Sequence, residues 1–308
     1  MVASKQFSRW QSRWMGWSLV GWLVMTGGVM ATPAPPTAPL PLMAQTEPGE
    51  TSASDSFQEN RRLAVSLVQQ GIEQARQENY SVAVTKLRSA TETLPDWAGA
   101  HYNLGVALGL SGDLPAAIAS YSRAIELNDK LVAAYVNRGL AKVRQGNLSG
   151  AIADYDEAIE LDSDRVLAYY NRGVAKATLA ADKNGENANQ LWQEAIDDYS
   201  EAIQRDTTLM DAFTNRGFAY FQQQEYVEAI ADYTSVIFRN PNSIDAYYNR
   251  GLTYLNLGWR QEAIADFRQA SQLALEANQL SRYRQLLQLL RSLVNPTKSV
   301  EKGSNQLQ

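Results

Sequence analysis

The apolar residues of this chain follow a helical spacing over most of its length, and the pattern repeats. Ile118, Tyr121 and Ile125 lie three and four residues apart, and the same spacing starts again at Ile152 and Tyr155, 34 residues later. Apolar residues at this spacing share one face of an α-helix. The pattern therefore predicts a series of amphipathic helices that recur with a period of 34 residues.

Small residues mark the same period. One ladder consists of Gly71, Gly105, Gly139, Gly173, Gly217 and Gly251, and a second consists of Ala83, Ala117, Ala151, Ala195, Ala229 and Ala263. Small residues at fixed places predict that two helices cross closely in each repeat. We therefore expect each repeat to be a hairpin of a first and a second helix. Each hairpin buries its apolar face on the next one.

Both ladders break once, between Gly173 and Ala195, where ten extra residues are inserted. The polar run 181–190 is the candidate insertion. We expect a surface loop there, with a specific contact as the alternative.

The two ladders determine the predicted bounds of the repeats and of the segments on either side of them. The hairpins are predicted to span 57–277, as units 64–97, 98–131, 132–165, 166–209, 210–243 and 244–277. Ser56 and Glu59 have capping-box spacing, so the first helix should begin at about Phe57, after a flexible linker at 45–56. Leucines at helical spacing predict a closing helix at 278–294. Pro296 ends it, and a disordered tail follows at 295–308.

The repeats resemble the tetratricopeptide repeat family. The second unit shows the family pattern as His101, Leu104-Gly105, Leu108, Ala117, Tyr121 and Ala124. Two features depart from the pattern. Tryptophan is absent from the early aromatic place, and the closing proline survives only as Pro95 and Pro241. The resemblance implies an all-α fold, a right-handed α-solenoid of six hairpins plus a capping helix, with the first helices on its concave side.

Residues 1–44 have the pattern of a targeting segment. Lys5, Arg9 and Arg13 precede an apolar run at 17–30, and cleavage is predicted after Ala31 or Ala44. An uncleaved membrane anchor is the alternative, although glycines dilute the run. Under either interpretation, the rest of the chain is expected to be exported. Repeats of this kind behind a signal resemble exported cyanobacterial proteins, which implies the periplasm or the thylakoid lumen.

The composition limits the kinds of site and partner that the chain can have. The chain has no cysteine and one histidine, His101, so thiolate and imidazole sites are nearly excluded. Without the three N-terminal bases the formal charge falls from −5 to −8, which disfavours nucleic acid as a partner. We expect no cofactor, no metal and no catalytic residue. His101 is expected to be a packing residue.

An asparagine stands two residues before each glycine from the second repeat onward. This asparagine row consists of Asn103, Asn137, Asn171, Asn215 and Asn249. It resembles the asparagine ladder in the substrate-binding part of the O-linked N-acetylglucosamine transferase, which implies bonds to the backbone of an extended peptide. The alternative is a purely structural role. The predicted groove also includes Tyr102, Tyr170, Tyr248 and Phe218.

Four repeats carry an arginine directly before the glycine and an aspartate on the second helix. The predicted pairs are Arg138 with Asp154, Arg172 with Asp198, Arg216 with Asp232, and Arg250 with Asp266. The two repeats without the arginine also lack the aspartate, which favours ion pairs within each hairpin over an anion-binding site.

The sequence thus predicts a scaffold that binds a protein or peptide segment in a concave groove and supports assembly of a complex. The membrane would be contacted only through an uncleaved N-terminal segment. Self-association through the closing helix is the alternative function. An enzyme is not expected.

Overall fold

The computed structural model describes residues 55–182 and 186–294. Within these ranges the chain forms helices and no strand. The helices are α1 Asp55–Arg76, α2 Tyr80–Thr93, α3 Ala98–Ser111, α4 Leu114–Leu127, α5 Val132–Arg144, α6 Leu148–Leu161, α7 Val166–Ala181, α8 Glu186–Arg205, α9 Met210–Gln222, α10 Tyr226–Arg239, α11 Ile244–Asn256, α12 Arg260–Glu276 and α13 Leu280–Val294.

The helices pair in chain order into six hairpins, α1–α2 to α11–α12, and α13 packs on α12. Each second helix also packs on the first helix of the next repeat. Successive first helices touch one another from α1 through α11. In the described part of the chain, successive first helices touch one another, whereas successive second helices make no comparable contact, so the stack of hairpins curves toward the first-helix side. The first helices therefore line the concave surface.

The glycine and alanine ladders lie where the two helices of a hairpin cross. A Cβ atom added to Gly105 would lie 2.7 Å from the ring of Tyr121, and one on Gly139 would lie 2.7 Å from the ring of Tyr155. The alanines of the second helices are completely buried. Close packing of a ring against a backbone without a side chain is the physical reason for the glycine in each repeat.

The large residue packed on each glycine is a tyrosine in four repeats, and Leu87 and Phe267 in the other two. The hydroxyl of Tyr155 is buried and bonds no group in the described part of the chain. A buried hydroxyl without a hydrogen bond is destabilising, because it has lost its bonds to water.

We therefore expect Tyr155→Phe to raise the free energy of unfolding by about 1 kcal/mol in urea titrations. Tyr121→Phe is the matched control in the preceding repeat. The Tyr121 hydroxyl is hydrogen-bonded to Asn137, so this variant should lose about 1 kcal/mol. Two losses of equal size would contradict this account of Tyr155.

The insertion differs from the expected surface loop. α7 continues to Ala181 and α8 begins at Glu186, so the extra residues lengthen both helices. Ala188 and Trp192 are buried, and the Gln223 amide donates to the backbone oxygen of Asn189 at 2.7 Å. The prediction of a loop is therefore wrong for residues 186–190, because these residues form helix and contact the next repeat.

The flanking elements lie close to their predicted positions. α1 begins at Asp55, two residues before the predicted start, and α13 begins at Leu280. The predicted signal or anchor at 1–44, the linker up to residue 54 and the tail from 295 lie outside the described residues. No helix in the described ranges is long and apolar enough to cross a membrane.

Candidate functional site

The asparagine row lies on successive first helices, but its side chains are buried. The five residues are between 0% and 2% exposed. We expected an open row along the groove, and the structure instead places these amides beneath the surface. A ligand could reach them only after surrounding residues move, so a peptide-binding role for the row stays a prediction.

Tyrosines of the preceding repeats explain part of this burial. The Asn137 Nδ2 atom donates to the Tyr102 hydroxyl at 3.1 Å, and Asn215 Nδ2 donates to the Tyr170 hydroxyl at 3.2 Å. Both tyrosines are fully buried, and burial raises the pKa of each above its usual value. These predicted groove residues therefore join one first helix to the next.

The other two predicted groove aromatics are more accessible. Phe218 on α9 and Tyr248 on α11 are half-buried. Phe218 makes an edge contact with Trp192, and Tyr248 packs against Phe267 with ring centres 5.8 Å apart. Of the predicted groove aromatics, the two in the C-terminal half thus keep part of their surface exposed.

Two aspartates in this half were missed by the sequence reasoning. Asp211 and Asp245 lie in the first turns of α9 and α11, and both side chains are exposed. The same place in the earlier repeats holds Val65, Gly99, Ala133 and Leu167. A comparison of this place across the repeats would have revealed the two acids.

The two aspartates differ in their partners. Arg282 of α13 donates to Asp245, and its guanidinium lies over the Tyr248 ring. Asp211 forms no ion pair with any described residue. Packing around part of the Asp211 carboxylate raises its pKa above the usual value. Since Asp211 and Phe218 are seven residues apart, they lie on the same face of α9.

The arginines lie between repeats. Arg138 donates from Nε and Nη2 to the carboxylate of Asp154, and from Nη1 to the Ser122 hydroxyl at 3.0 Å. The other predicted pairs have the same arrangement. Their third partners, on the second helix of the preceding repeat, are Asp156 for Arg172, Ser200 for Arg216 and Thr234 for Arg250.

Each arginine thus joins the two helices of its own hairpin and also bonds the hairpin before it. The four aspartates are between 3% and 5% exposed. Lys142 adds a second cation at 2.7 Å from Asp154, and Lys176 does so at 3.0 Å from Asp198. Among the described residues, Asp232 forms an ion pair with Arg216 alone, and burial raises the pKa of Asp232. Because the buried aspartates neutralise the arginines, the role of the arginines is structural.

Residues outside the groove and the ion pairs provide few groups that could form a catalytic or metal site. His101 is half-buried, with Nε2 at 2.8 Å from the Pro95 carbonyl oxygen, and burial lowers its pKa. No group of three or more histidine, aspartate or glutamate residues in the described ranges could hold a metal ion.

Comparison with known families agrees with these hairpins. Residues 110–146, 139–179 and 219–258 match a family model described as TPR repeat, and residues 244–276 match one described as tetratricopeptide repeat. The chain contains tetratricopeptide repeats. Among curated proteins, none has a sequence that matches this chain.

Solved structures of other proteins share the fold. A MamA structure is 27% identical over 57% of this chain and 97% of its own, with a TM-score of 0.53. YrrB, described as a TPR protein with an unusual peptide-binding site, is 22% identical over 63% and 97%, with a TM-score of 0.52. The pilF protein of Pseudomonas aeruginosa is 16% identical over 74% and 98%, with a TM-score of 0.59. The last two likenesses show a common fold alone.

Proposed function

We propose that this chain is a scaffold that binds an extended polypeptide segment along the concave surface of its tetratricopeptide repeats. The C-terminal half of that surface, with Asp211, Phe218 and Tyr248, is the proposed site. A segment that follows the first helices would there meet a carboxylate and two aromatic rings. This favours a ligand with a lysine or arginine beside apolar residues.

The proposal rests mainly on the environment of Asp211. Its carboxylate is exposed on a first helix, it has no ion pair with the described residues, and its pKa is raised. A ligand cation beside this carboxylate would favour its ionised form. By contrast, the aspartates of the structural pairs already have their cations.

The proposed setting is an extracytoplasmic compartment, where the scaffold would support assembly of a complex. The basic flank and apolar run of residues 1–44 support this setting, whether the segment is a cleaved signal or a retained anchor. YrrB is described as peptide-binding, but its identity of 22% extends only the fold to this chain.

The experiment is a selection of 12-residue peptides from a random library, followed by binding titrations. We expect the selected peptides to carry a base beside apolar residues. Asp211→Asn should weaken their binding at least tenfold, since a charge-assisted bond contributes about 1.5–3 kcal/mol and about 1.4 kcal/mol corresponds to a factor of ten. The matched control is Glu228→Gln, an exposed acid on the second helix of the same repeat. Equal affinities for both variants, or selected peptides without bases, would contradict the proposal.

A further inference from the structure

Arg165 is a cation that the repeat pattern does not explain. It is the last residue of the third unit and lies directly before α7. The other units end in uncharged residues, which are Trp97, Leu131, Leu209, Ser243 and Ala277. Because these hairpins form without a charge at this place, the hairpin itself does not require an arginine there.

Arg165 also has no partner among the described residues. The residue is half-buried, its Nε atom is buried, and its guanidinium donates no hydrogen bond within the described part of the chain. The neighbouring Asp162 accepts a hydrogen bond from the backbone of Asp164, and neither acid forms an ion pair with Arg165. A partly buried guanidinium without a hydrogen bond is destabilising, because it has lost part of its water. An anion of a ligand would supply the absent bonds.

The Arg165 guanidinium lies on the concave side of the stack. Burial raises the pKa of Tyr102, and the positive charge of Arg165 opposes this rise. The Tyr102 hydroxyl lies between α3 and α5, where it accepts a hydrogen bond from Asn137. Since Arg165 precedes α7 and acts on a group between α3 and α5, its side chain extends back across the first helices, which line the concave surface.

Asp211 has a similar position beside the next tyrosine of this kind. Tyr170 occupies the place of Tyr102 two repeats later. Burial raises the pKa of Tyr170, and the negative charge of Asp211 adds to this rise. Asp211 lies in the first turn of α9, which is the next first helix after α7. The concave surface thus carries a cation and an anion on successive repeats, and neither is paired with a described residue.

The distance between these two charges limits the spacing of the charges on a ligand. Arg165 extends back by up to one first helix, and packed helices lie about 8–10 Å apart, so the two groups are about 8–20 Å apart. An extended segment rises about 3.3 Å per residue, so this distance corresponds to about three to six residues.

We propose, on the basis of the peptide groove proposed above, that the ligand is an extended segment with an acidic and a basic residue about three to six positions apart. The acid would bond Arg165, and the base would pair with Asp211. A segment with two bases or two acids would place a like charge against the surface, which disfavours its binding. The order of the two charges along the stack would also fix the direction in which the segment lies.

The test begins with two selections from a library of 13-residue peptides that carry a fixed central lysine. One selection uses the full chain, and the other uses the Arg165→Gln variant. We expect the full chain to enrich aspartate or glutamate about three to six residues to one side of the lysine. The variant should select lysine peptides without this acid, because it keeps Asp211.

Binding titrations then compare a selected acid-containing peptide with a copy that has glutamine in place of the acid. Arg165→Gln should weaken binding of the acid-containing peptide at least tenfold and leave the glutamine copy unchanged. Arg165→Lys should retain most of the binding, because it keeps the charge. The matched control is Arg268→Gln, which removes an exposed arginine from the second helix α12 and should have no effect. Circular dichroism should show unchanged helix content, because the other units hold uncharged residues at the place of Arg165.

The results separate this proposal from the peptide groove on which it rests. If no lysine peptide binds the full chain, or if Asp211→Asn leaves binding unchanged, both proposals are wrong. If lysine peptides bind through Asp211 without a preference for an acid, only the Arg165 site is wrong. Binding of the acid-containing peptide that survives Arg165→Gln, or that Arg268→Gln weakens equally, would also contradict the Arg165 site.

Discussion

Asp198→Ala will lower the free energy of unfolding by about 3 kcal/mol at neutral pH. The carboxylate of Asp198 is 3% exposed, and it binds both Arg172 and Lys176. The variant would leave two cations without this partner in a site where their own side chains are only 18% and 12% exposed. Removal of one partner from a buried pair is costly because the remaining charge has lost its water.

The control for this prediction is Asp156→Ala. Asp156 bonds the same arginine at 2.6 Å, but its side chain is 54% exposed. Its loss should cost less than about 1 kcal/mol. Urea titration followed by circular dichroism measures both variants. Similar losses for the two would show that burial of the pair does not decide its contribution.

Gly105→Ala and Gly109→Ala will change stability in opposite directions. Both glycines lie in α3, where alanine is the better helix former by about 1 kcal/mol. A Cβ at Gly109 would lie no closer than 3.8 Å to its neighbours, whereas one at Gly105 would lie 2.7 Å from the buried ring of Tyr121. We expect Gly109→Ala to stabilise by about 0.5–1 kcal/mol.

Gly105→Ala should destabilise by about 1–2 kcal/mol, since the strain of overpacking exceeds the gain in helix propensity. Thermal melting of the two variants beside the unchanged chain is the measurement. If both variants were stabilised, the glycine ladder would not be a consequence of close helix crossing.

Features with a 34-residue period were predictable from the sequence. The glycines, alanines and arginine–aspartate pairs each recur at a fixed place, so one physical reason applies in every repeat. The third partners of the arginines also recur, as Ser122, Asp156, Ser200 and Thr234. This short polar residue was a usable signal for bonds between successive hairpins.

The burial of the asparagines was not predictable from that period. It depends on how closely successive first helices pack, and on which residue stands opposite each amide. Tyr102 and Tyr170 reach the asparagine of the next repeat, whereas the same place holds Val136 and Thr214 in two other repeats. A resemblance based on asparagine alone carries no information about these neighbours.

The helical structure of the insertion could have been inferred from the apolar residues that lie within and directly after its polar run. Ala188, Trp192, Ala195 and Tyr199 continue one helical face backward from the second helix of the repeat. All four are buried. The composition of 181–190 suggested a loop, but the apolar spacing that overlaps it indicated a longer helix.

The most direct test of the central claim is where a bound peptide contacts the stack. A photoreactive benzoylphenylalanine would replace Tyr248 on the concave surface in one variant, and Phe238 on a second helix in another. Phe238 is 84% exposed, so it is the more accessible of the two positions. We predict that a library-selected peptide crosslinks to position 248 and not to position 238. Crosslinking at 238 alone, or equally at both, would contradict binding in the groove.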